Sequence, residues 1–180
     1  MRIDPKYFNQ FMVVVAVFCI AAIALASYRY VDRQEQRFMD RMEQTPASEL
    51  HFLTMDGDTL QLDPERTTVI LFWATWSGRS LESLYELYQW HDSYPQFEVI
   101  AAFVKDAPEF ALAHNRESKE RFMLVNGTPA YQDLRVPGVP SAIILDSQGR
   151  VVATEVGSSS VPIWQKLSTR DQLHSSETAL

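Results

Sequence analysis

The chain has very little cysteine: Cys19 is the only one in 180 residues. A single thiol excludes an intrachain disulfide and any zinc site built from several cysteines. Glycine and proline are also few, at 6 and 9 residues, which excludes collagen-like and proline-rich chains. No pair of histidines has the spacing of metal ligands. The sequence therefore predicts neither a metal site nor a cofactor.

Basic charge is scarce in the larger part of the chain. Residues 47–180 carry ten Lys and Arg against eighteen Asp and Glu, a net charge of −8, whereas residues 1–46 carry six against five. A domain this acidic would repel the phosphates of a nucleic acid, so we expect no nucleic-acid partner. The overall composition, 46% hydrophobic and 22% charged, is typical of a globular protein.

The one long hydrophobic run covers residues 11–28, which include no charged side chain. With the uncharged residues 8–10 it would span about 30 Å as a helix, the thickness of a bilayer's hydrocarbon layer. The sequence thus predicts an N-terminal tail over residues 1–10 and a transmembrane helix over residues 11–28. The alternative is a cleaved signal peptide, because Ala24-Leu25-Ala26 resembles a small-residue cleavage site.

Residues 29–46 are predicted to form a juxtamembrane helix or linker that ends at Pro46. Asp32 and Asp40 each lie three positions from an arginine, and Glu35 lies two positions from Arg33 and from Arg37. We expect these three acidic residues to pair with the nearby arginines. The apolar stripe is thin and consists of Val31, Phe38 and Met42. This pattern favours a solvated spacer, with contact to a partner helix as the alternative.

Residues 47–173 alternate between strand and helix patterns, and residues 174–180 form a polar tail that is expected to be disordered. The predicted elements are a hairpin around Asp56-Gly57-Asp58, strands at 67–73, 97–104, 141–146 and 151–156, and helices from about 77, at 108–121 and at 161–173. In the first of these helices Leu81, Leu84, Tyr85 and Tyr88 form the predicted apolar stripe. This order predicts an α/β domain with a mostly parallel sheet and an antiparallel edge.

Two segments carry a resemblance to a known family. Residues 69–80 read VILFWATWSGRS and run from a buried strand into a helix, and residues 138–146 read GVPSAIILD. The first segment resembles the active-site motif of thioredoxins, most closely the membrane-anchored TlpA/ResA type, and the second resembles the loop with a cis proline in that family. The resemblance covers residues 49–173. It implies a thioredoxin-like fold: a central mixed sheet flanked by helices, with an N-terminal hairpin, here preceded by one transmembrane helix.

The chain departs from this family at the residues that carry its chemistry. Ser77 and Ser80 stand where the family has two redox cysteines, and Leu71 occupies the strand position of a buried aspartate. Disulfide exchange requires a thiolate, and a serine hydroxyl cannot form a disulfide. We therefore expect no catalytic residue and no redox activity. The simplest role for Ser77 is to cap the helix.

A hydrolase with a serine nucleophile would require a base beside the serine. The four histidines are scattered, at positions 51, 91, 114 and 174, and none is placed by the sequence next to Ser77. The resemblance implies instead that a peptide-binding groove remains. Its lining is Trp76, Gly78, Arg79, Val139 and Pro140. Arg79, at the start of a helix, would add positive charge to that groove.

The favoured function is a redox-inactive, membrane-anchored binding or assembly subunit of an envelope complex, either respiratory or for cytochrome maturation. One alternative is a thiol-disulfide oxidoreductase whose cysteines were replaced by Ser77 and Ser80, and another is a chaperone-like domain that holds peptides. Protein partners are expected in each case. Counting the basic residues beside the span places the domain in the cytoplasm, but the short N-terminal tail and the resemblance favour export. We therefore expect a single-pass protein of the bacterial inner membrane with a periplasmic domain.

Overall fold

The buried strand Thr68–Trp73 organises the fold. In a computed structural model, which describes residues 5–45, 50–60, 62, 66–114 and 122–167, every side chain of this strand is buried. A continuous β-branched and aromatic run suits a strand that is covered on both faces, which is why no polar alternation marks it in the sequence.

The described residues form seven strands and four helices of six residues or more. The helices are α1 (Pro5–Gln44), α2 (Gly78–Ser93), α3 (Pro108–His114) and α4 (Thr128–Asp133). The strands are β1 (Phe52–Leu53), β2 (Thr59–Leu60), β3 (Thr68–Trp73), β4 (Glu98–Phe103), β5 (Met123–Asn126), β6 (Ser141–Leu145) and β7 (Val151–Val156). Residues 163–167 are also helical and lie after β7.

All seven strands belong to one mixed sheet in the order β2-β1-β5-β4-β3-β6-β7. Strand β4 is parallel to both β3 and β5. Strand β6 pairs antiparallel with β3, and β7 pairs antiparallel with β6 at the edge of the sheet. The hairpin predicted around Asp56-Gly57-Asp58 joins β1 and β2, and Gly57 has the positive φ, 89°, that this turn requires. The predicted order of these elements and the antiparallel edge are confirmed. The prediction of a mostly parallel sheet is wrong, because two of the strand pairs are parallel and four are antiparallel.

Each face of the sheet has its own hydrophobic core. On one face Leu71 and Trp73 pack with Leu84, Leu87 and Trp90 of α2. The other face holds alternate residues of β3 and β4, together with residues from α4 and the chain that follows it. Period-two alternation along β3 explains this division, because Leu71 and Trp73 face one layer while Ile70 and Phe72 face the other.

The end of α1 belongs to the second core. Phe38 and Met42 are fully buried among the apolar residues of that face, which include Phe52 and Val136. The chain divides into two compact units, and the boundary lies between Arg37 and Phe38. The last part of α1, from Phe38 onward, therefore belongs to the larger unit. The solvated spacer predicted for residues 29–46 is therefore wrong at its C-terminal end, where the thin apolar stripe is a core contact.

The first unit is the N-terminal part of α1. The helix already includes residues 5–10, for which the sequence predicted a tail. Within α1, Gln10–Met42 contains a stretch long and apolar enough to cross a membrane. Its large apolar side chains, such as Phe11, Phe18 and Ile23, are exposed. This length and composition fit a membrane anchor, and they also fit a signal sequence near the N-terminus.

Several elements differ from the sequence prediction. Strand β5 and helix α4 were not predicted, and the apolar stripe of α2 was assigned in part to the wrong face. Tyr85 is 47% exposed, whereas Ser80 and Ser83 are buried on the face of α2 that contacts the sheet. Some predictions concern residues outside the described ranges. These are the helix extensions through residues 115–121 and 168–173, the helix end at Pro46, the domain start at residue 47 and the tail at residues 174–180.

Candidate functional site

Ser77 caps helix α2 where strand β3 ends. Its backbone is extended, and its Oγ accepts a hydrogen bond from the N–H of Ser80 at 3.3 Å. The N–H of Ser77 itself donates to the carbonyl oxygen of Ala74 at 3.2 Å. The capping role predicted for Ser77 is confirmed. Its hydroxyl oxygen is thus committed to a backbone donor of the helix.

Ser80 is placed inside the protein. Its side chain is fully buried, and its Oγ has no hydrogen-bond partner among the residues that the structure describes. No described residue is therefore placed as a general base for this hydroxyl, and its burial keeps it from a substrate in solvent. The start of α2 therefore holds one half-buried hydroxyl group, on Ser77, and one buried hydroxyl group, on Ser80.

The outer side of the same loop is open to solvent. Trp76 is 62% exposed, and Gly78 and Arg79 are exposed beside it in the first turn of α2. Arg79 forms no hydrogen bond or ion pair with any described residue. Tryptophan and arginine are enriched among the residues that contribute most to protein interfaces, so Trp76 next to a free guanidinium is a candidate contact surface.

The second predicted segment reaches the same end of β3. The Val139–Pro140 peptide bond is cis, as the resemblance implied. Phe72 of β3 pairs with Ser141, the first residue of β6, so Pro140 precedes β6 at the end of β3 that leads to Trp76. The carbonyl oxygen of Pro140 accepts from the N–H of Gly157 at 2.8 Å.

Val139 keeps its backbone groups free. Neither its N–H nor its C=O forms a hydrogen bond with a residue in the described part of the chain. Next to it, Ser141 Oγ donates to the carbonyl oxygen of Gly138 at 2.7 Å and fixes the loop. A half-buried residue with an unpaired donor and acceptor in an ordered loop can pair with one residue of an extended peptide.

Asp106 is a residue of this site that sequence reasoning missed. Its carboxylate accepts from the N–H of Thr75 at 2.6 Å and from Thr75 Oγ1 at 3.0 Å. Asp106 follows β4, which is parallel to β3, so both loops leave the sheet at the same edge. That strand-end rule is the signal that could have found it.

The residue before Asp106 is also constrained. Lys105 adopts a positive φ of 52°, which side chains other than glycine seldom adopt, and its N–H donates to Thr128 Oγ1 at 2.9 Å. Its Nζ lies 5.4 Å from the centre of the Tyr131 ring, and burial raises the pKa of the Tyr131 hydroxyl. The loop that positions Thr75 is therefore itself anchored to α4.

A small cavity of about 10 Å³, the size of one water molecule, adjoins the cis proline. Pro140, Leu71, Ser83 and Glu155 are among its lining residues. Leu71 pairs with Ala142, which in turn pairs with Glu155, so Glu155 lies two strands away on the same face of the sheet. Its carboxylate accepts a hydrogen bond from the N–H of Ile163 at 2.7 Å. The only carboxylate that lines this cavity thus has a structural partner.

The described histidines do not approach the serines. His91 Nε2 hydrogen-bonds with the carbonyl oxygen of Phe97, and His114 Nδ1 with that of Phe110. His51 is exposed near β1, and His174 lies outside the described residues. Within the described ranges no cluster of three His, Cys, Asp or Glu side chains has an arrangement suited to a metal ion.

Several solved structures of similar fold are bacterial proteins described as thiol-disulfide interchange proteins or oxidoreductases. A thiol:disulfide interchange protein of the thioredoxin family from Chlorobium tepidum has a TM-score of 0.57 and 17% identity, over 70% of this chain and 94% of that one. A thiol-disulfide oxidoreductase from Bacteroides fragilis gives 0.57 and 16%, over 69% and 98% of the two chains. The fold is thioredoxin-like.

A third thioredoxin-like structure is a secreted disulfide oxidoreductase from Mycobacterium tuberculosis, described as homologous to DsbE of E. coli. It has a TM-score of 0.53 and 16% identity, over 78% of this chain and 98% of that one. At these identities the likeness concerns the thioredoxin-like fold alone. No protein-family model and no curated protein sequence matches the chain.

Proposed function

We propose that this protein is a membrane-anchored, redox-inactive thioredoxin-like domain that binds a protein partner, as an accessory or assembly subunit of a complex in the cell envelope. The observation that carries the proposal is the pair Ser77 and Ser80 at the start of α2, beside an intact contact surface. That surface consists of Trp76, Arg79 and the half-buried Val139, which precedes the buried Pro140.

The case against disulfide chemistry rests on three features of the site. The chain has one cysteine, Cys19, which lies in the apolar part of α1. A serine hydroxyl has far too high a pKa to be activated by a helix N-terminus as a thiol is. Leu71 places an apolar side chain in the cavity beside Pro140, where it cannot transfer a proton.

The case for binding rests on groups that the fold leaves unused. Trp76 offers a large aromatic surface, and interface energy is commonly concentrated in such residues. The free N–H and C=O of Val139 can pair with an extended segment, which supplies affinity independent of sequence. Hydrogen bonds from Thr75 to Asp106 hold the loop before Trp76, so little order has to be gained on binding.

We also propose that the soluble domain lies outside the cytoplasm, at the inner membrane of a bacterium. The apolar part of α1 is long enough for an anchor, and the Mycobacterium tuberculosis structure with the same fold is described as secreted. A Cys19→Ser, Glu86→Cys variant tests this, because Glu86 is exposed on α2. A maleimide that cannot cross membranes should label it in intact spheroplasts, whereas labelling only after lysis would place the domain in the cytoplasm.

The central experiment is purification of the full-length protein from its own membranes in mild detergent, followed by mass spectrometry of the proteins that co-purify. A stoichiometric membrane complex that is lost on Trp76→Ala supports the proposal. Tyr85→Ala is the matched control, since Tyr85 is an exposed aromatic residue on α2 away from the loop. That variant should retain the complex.

The other outcomes distinguish the remaining hypotheses. A broad set of unfolded or secreted proteins, released by Trp76→Ala, would favour a chaperone-like domain that holds peptides. No partner, together with cysteine codons at positions 77 and 80 in the natural gene, would restore the thiol-disulfide oxidoreductase.

A further inference from the structure

Three arginines form a stripe on α1 directly after its apolar part. Arg29, Arg33 and Arg37 are spaced by four residues, so they lie on one side of the helix. All three side chains are exposed. None forms a hydrogen bond or an ion pair with a residue that the structure describes.

The described carboxylates of this segment leave the stripe unpaired. Glu35 lies two positions from both Arg33 and Arg37, which places it on the far side of the helix. Asp40 is three residues from Arg37 and makes no ion pair with it. The pairing predicted from sequence for Glu35 and Asp40 is therefore absent from the described part of α1, and the side chain of Asp32 lies outside that part.

The fourth arginine in the series is used differently. Arg41 donates from Nε to the carbonyl oxygen of Leu134 and from Nη2 to that of Arg135, both at 3.1 Å. It thus caps the turn that follows α4 within the larger unit. The three arginines of the stripe have no such acceptor among the described residues and remain available to an external one.

The direction of the helix indicates where that acceptor lies. Side chains of a helix lean toward its N-terminus, which for these arginines is the apolar end. At 1.5 Å per residue Arg33 and Arg37 lie roughly 6 and 12 Å beyond Arg29 along the axis. A bilayer adds roughly 5–7 Å of headgroups to each side of its hydrocarbon layer, within reach of long side chains that extend back. Tyr28 and Tyr30, both exposed, mark that boundary.

We propose that Arg29, Arg33 and Arg37 bind the phosphate groups of anionic lipids where α1 leaves the bilayer. Guanidinium groups suit phosphate oxygens, since their planar donors can form paired hydrogen bonds. This inference rests on the proposed membrane anchor and adds a ligand class and a binding site to it.

The test uses the full-length protein in phosphatidylcholine vesicles with a fraction of phosphatidylglycerol. A donor fluorophore on Cys19, the single cysteine, reports energy transfer to acceptor-labelled phosphatidylglycerol or phosphatidylcholine. We expect preferential transfer to phosphatidylglycerol at low salt, reduced at high salt. The combined variant Arg29→Gln, Arg33→Gln, Arg37→Gln should lower this preference at least about fivefold, since each cation near a membrane surface contributes about that factor.

A control variant carries the same change of charge elsewhere. Arg66, Arg135 and Lys166 are exposed in the larger unit, and their replacement by Gln should leave the lipid preference unchanged. An equal loss in this control would overturn the proposal, because diffuse charge would then explain the effect. A native protein without lipid preference would overturn it as well.

Failure of the anchor is recognised separately. Absence of energy transfer to either lipid, with the protein failing to float with vesicles, would reject the anchor itself. An unchanged lipid preference in the triple variant, with loss of a co-purifying protein, would reject the lipid site and assign the stripe to an acidic partner.

Discussion

Asp106 holds the loop that presents Trp76 through two hydrogen bonds from a single residue, Thr75. The N–H of Thr75 donates to one carboxylate oxygen at 2.6 Å and its hydroxyl to the other at 3.0 Å. This contact joins the loops that follow two parallel strands, β3 and β4. The rigidity of the contact surface thus depends on a carboxylate outside the motif.

Replacing Asp106 should loosen the loop. We expect Asp106→Ala to lower the free energy of unfolding by about 2 kcal/mol, because two hydrogen bonds to a charged acceptor are lost. Chemical denaturation measures this. Glu86→Ala, on an exposed position of α2, should change stability by less than about 0.5 kcal/mol. Equal effects in both variants would show that the contact is not structural.

The burial of Phe38 predicts that the end of α1 stabilises the domain. Phe38→Ala should cost about 3 kcal/mol or more, and Met42→Ala about 2–4 kcal/mol, since each leaves a cavity in the core. Met39, 36% exposed on the same turn, is the matched control, and its replacement by Ala should cost little. Urea midpoints for the three variants decide the matter. Similar midpoints for Phe38→Ala and Met39→Ala would contradict a core role.

The geometry at the start of α2 predicts that cysteines would pair there. Positions 77 and 80 are three residues apart across a helix start, where Cα atoms lie roughly 5–6 Å apart and a disulfide can close. In a Cys19→Ala background, the combined Ser77→Cys, Ser80→Cys variant should lose both free thiols on oxidation, and each single variant should keep one. Thiol titration before and after oxidation measures this. Two persistent thiols in the double variant would show that the loop no longer has the required geometry.

The carboxylate of Asp146, in the turn between β6 and β7, should make a pH-dependent contribution to the free energy of unfolding. Burial works to raise the pKa of this carboxyl, but hydrogen bonds from the Arg150 backbone and side chain and from the Gln148 N–H, with the Arg150 charge, lower it overall. A carboxyl whose pKa is lower in the folded state stabilises the protein when the pH is above the pKa of the unfolded state, about 3.9. This stabilisation is lost as the pH falls through the pKa of the folded state.

Asp146→Asn should therefore lower stability by about 1 kcal/mol at neutral pH, and the difference from the native protein should shrink below about pH 4. Denaturant unfolding at several pH values measures this. Ser147→Ala, an exposed position in the same turn without an ionisable side chain, serves as the control and should show no such pH dependence. A constant difference across the acid range would rule out a role for the Asp146 charge.

Much of the fold could be predicted from sequence because its strongest signals are local. The buried run of β3 and the turn at Gly57 each lie within a few residues, and their positions are confirmed. Strand β5 was missed because it has four residues, of which Val125 alone is fully buried, and it depends on pairing with β4. The face of α2 was misassigned at Tyr85 because buried serines interrupt the apolar periodicity.

The candidate site was predictable only where it is contiguous in sequence. The capping role of Ser77 and the loop at Pro140 could be identified from their motifs. The contact from Thr75 to Asp106 joins residues 31 positions apart in sequence. The backbone of Val139 is unpaired because no described neighbour supplies a hydrogen-bond partner, and sequence cannot reveal that. Phe38 shows the same limit, since a sparse apolar stripe cannot reveal what it packs against.

The place of Phe38 in the core also limits where the chain can be cut. A protease that released an intact domain would have to cleave at Arg37 or earlier, because a later cut would remove Phe38 and then Met42 from the interior. Cleavage after Ala26, as for a signal peptide, leaves that interior complete, and so does retention of the anchor. A protease can therefore release the folded domain from the membrane only by cleaving in the short stretch of helix that precedes Phe38.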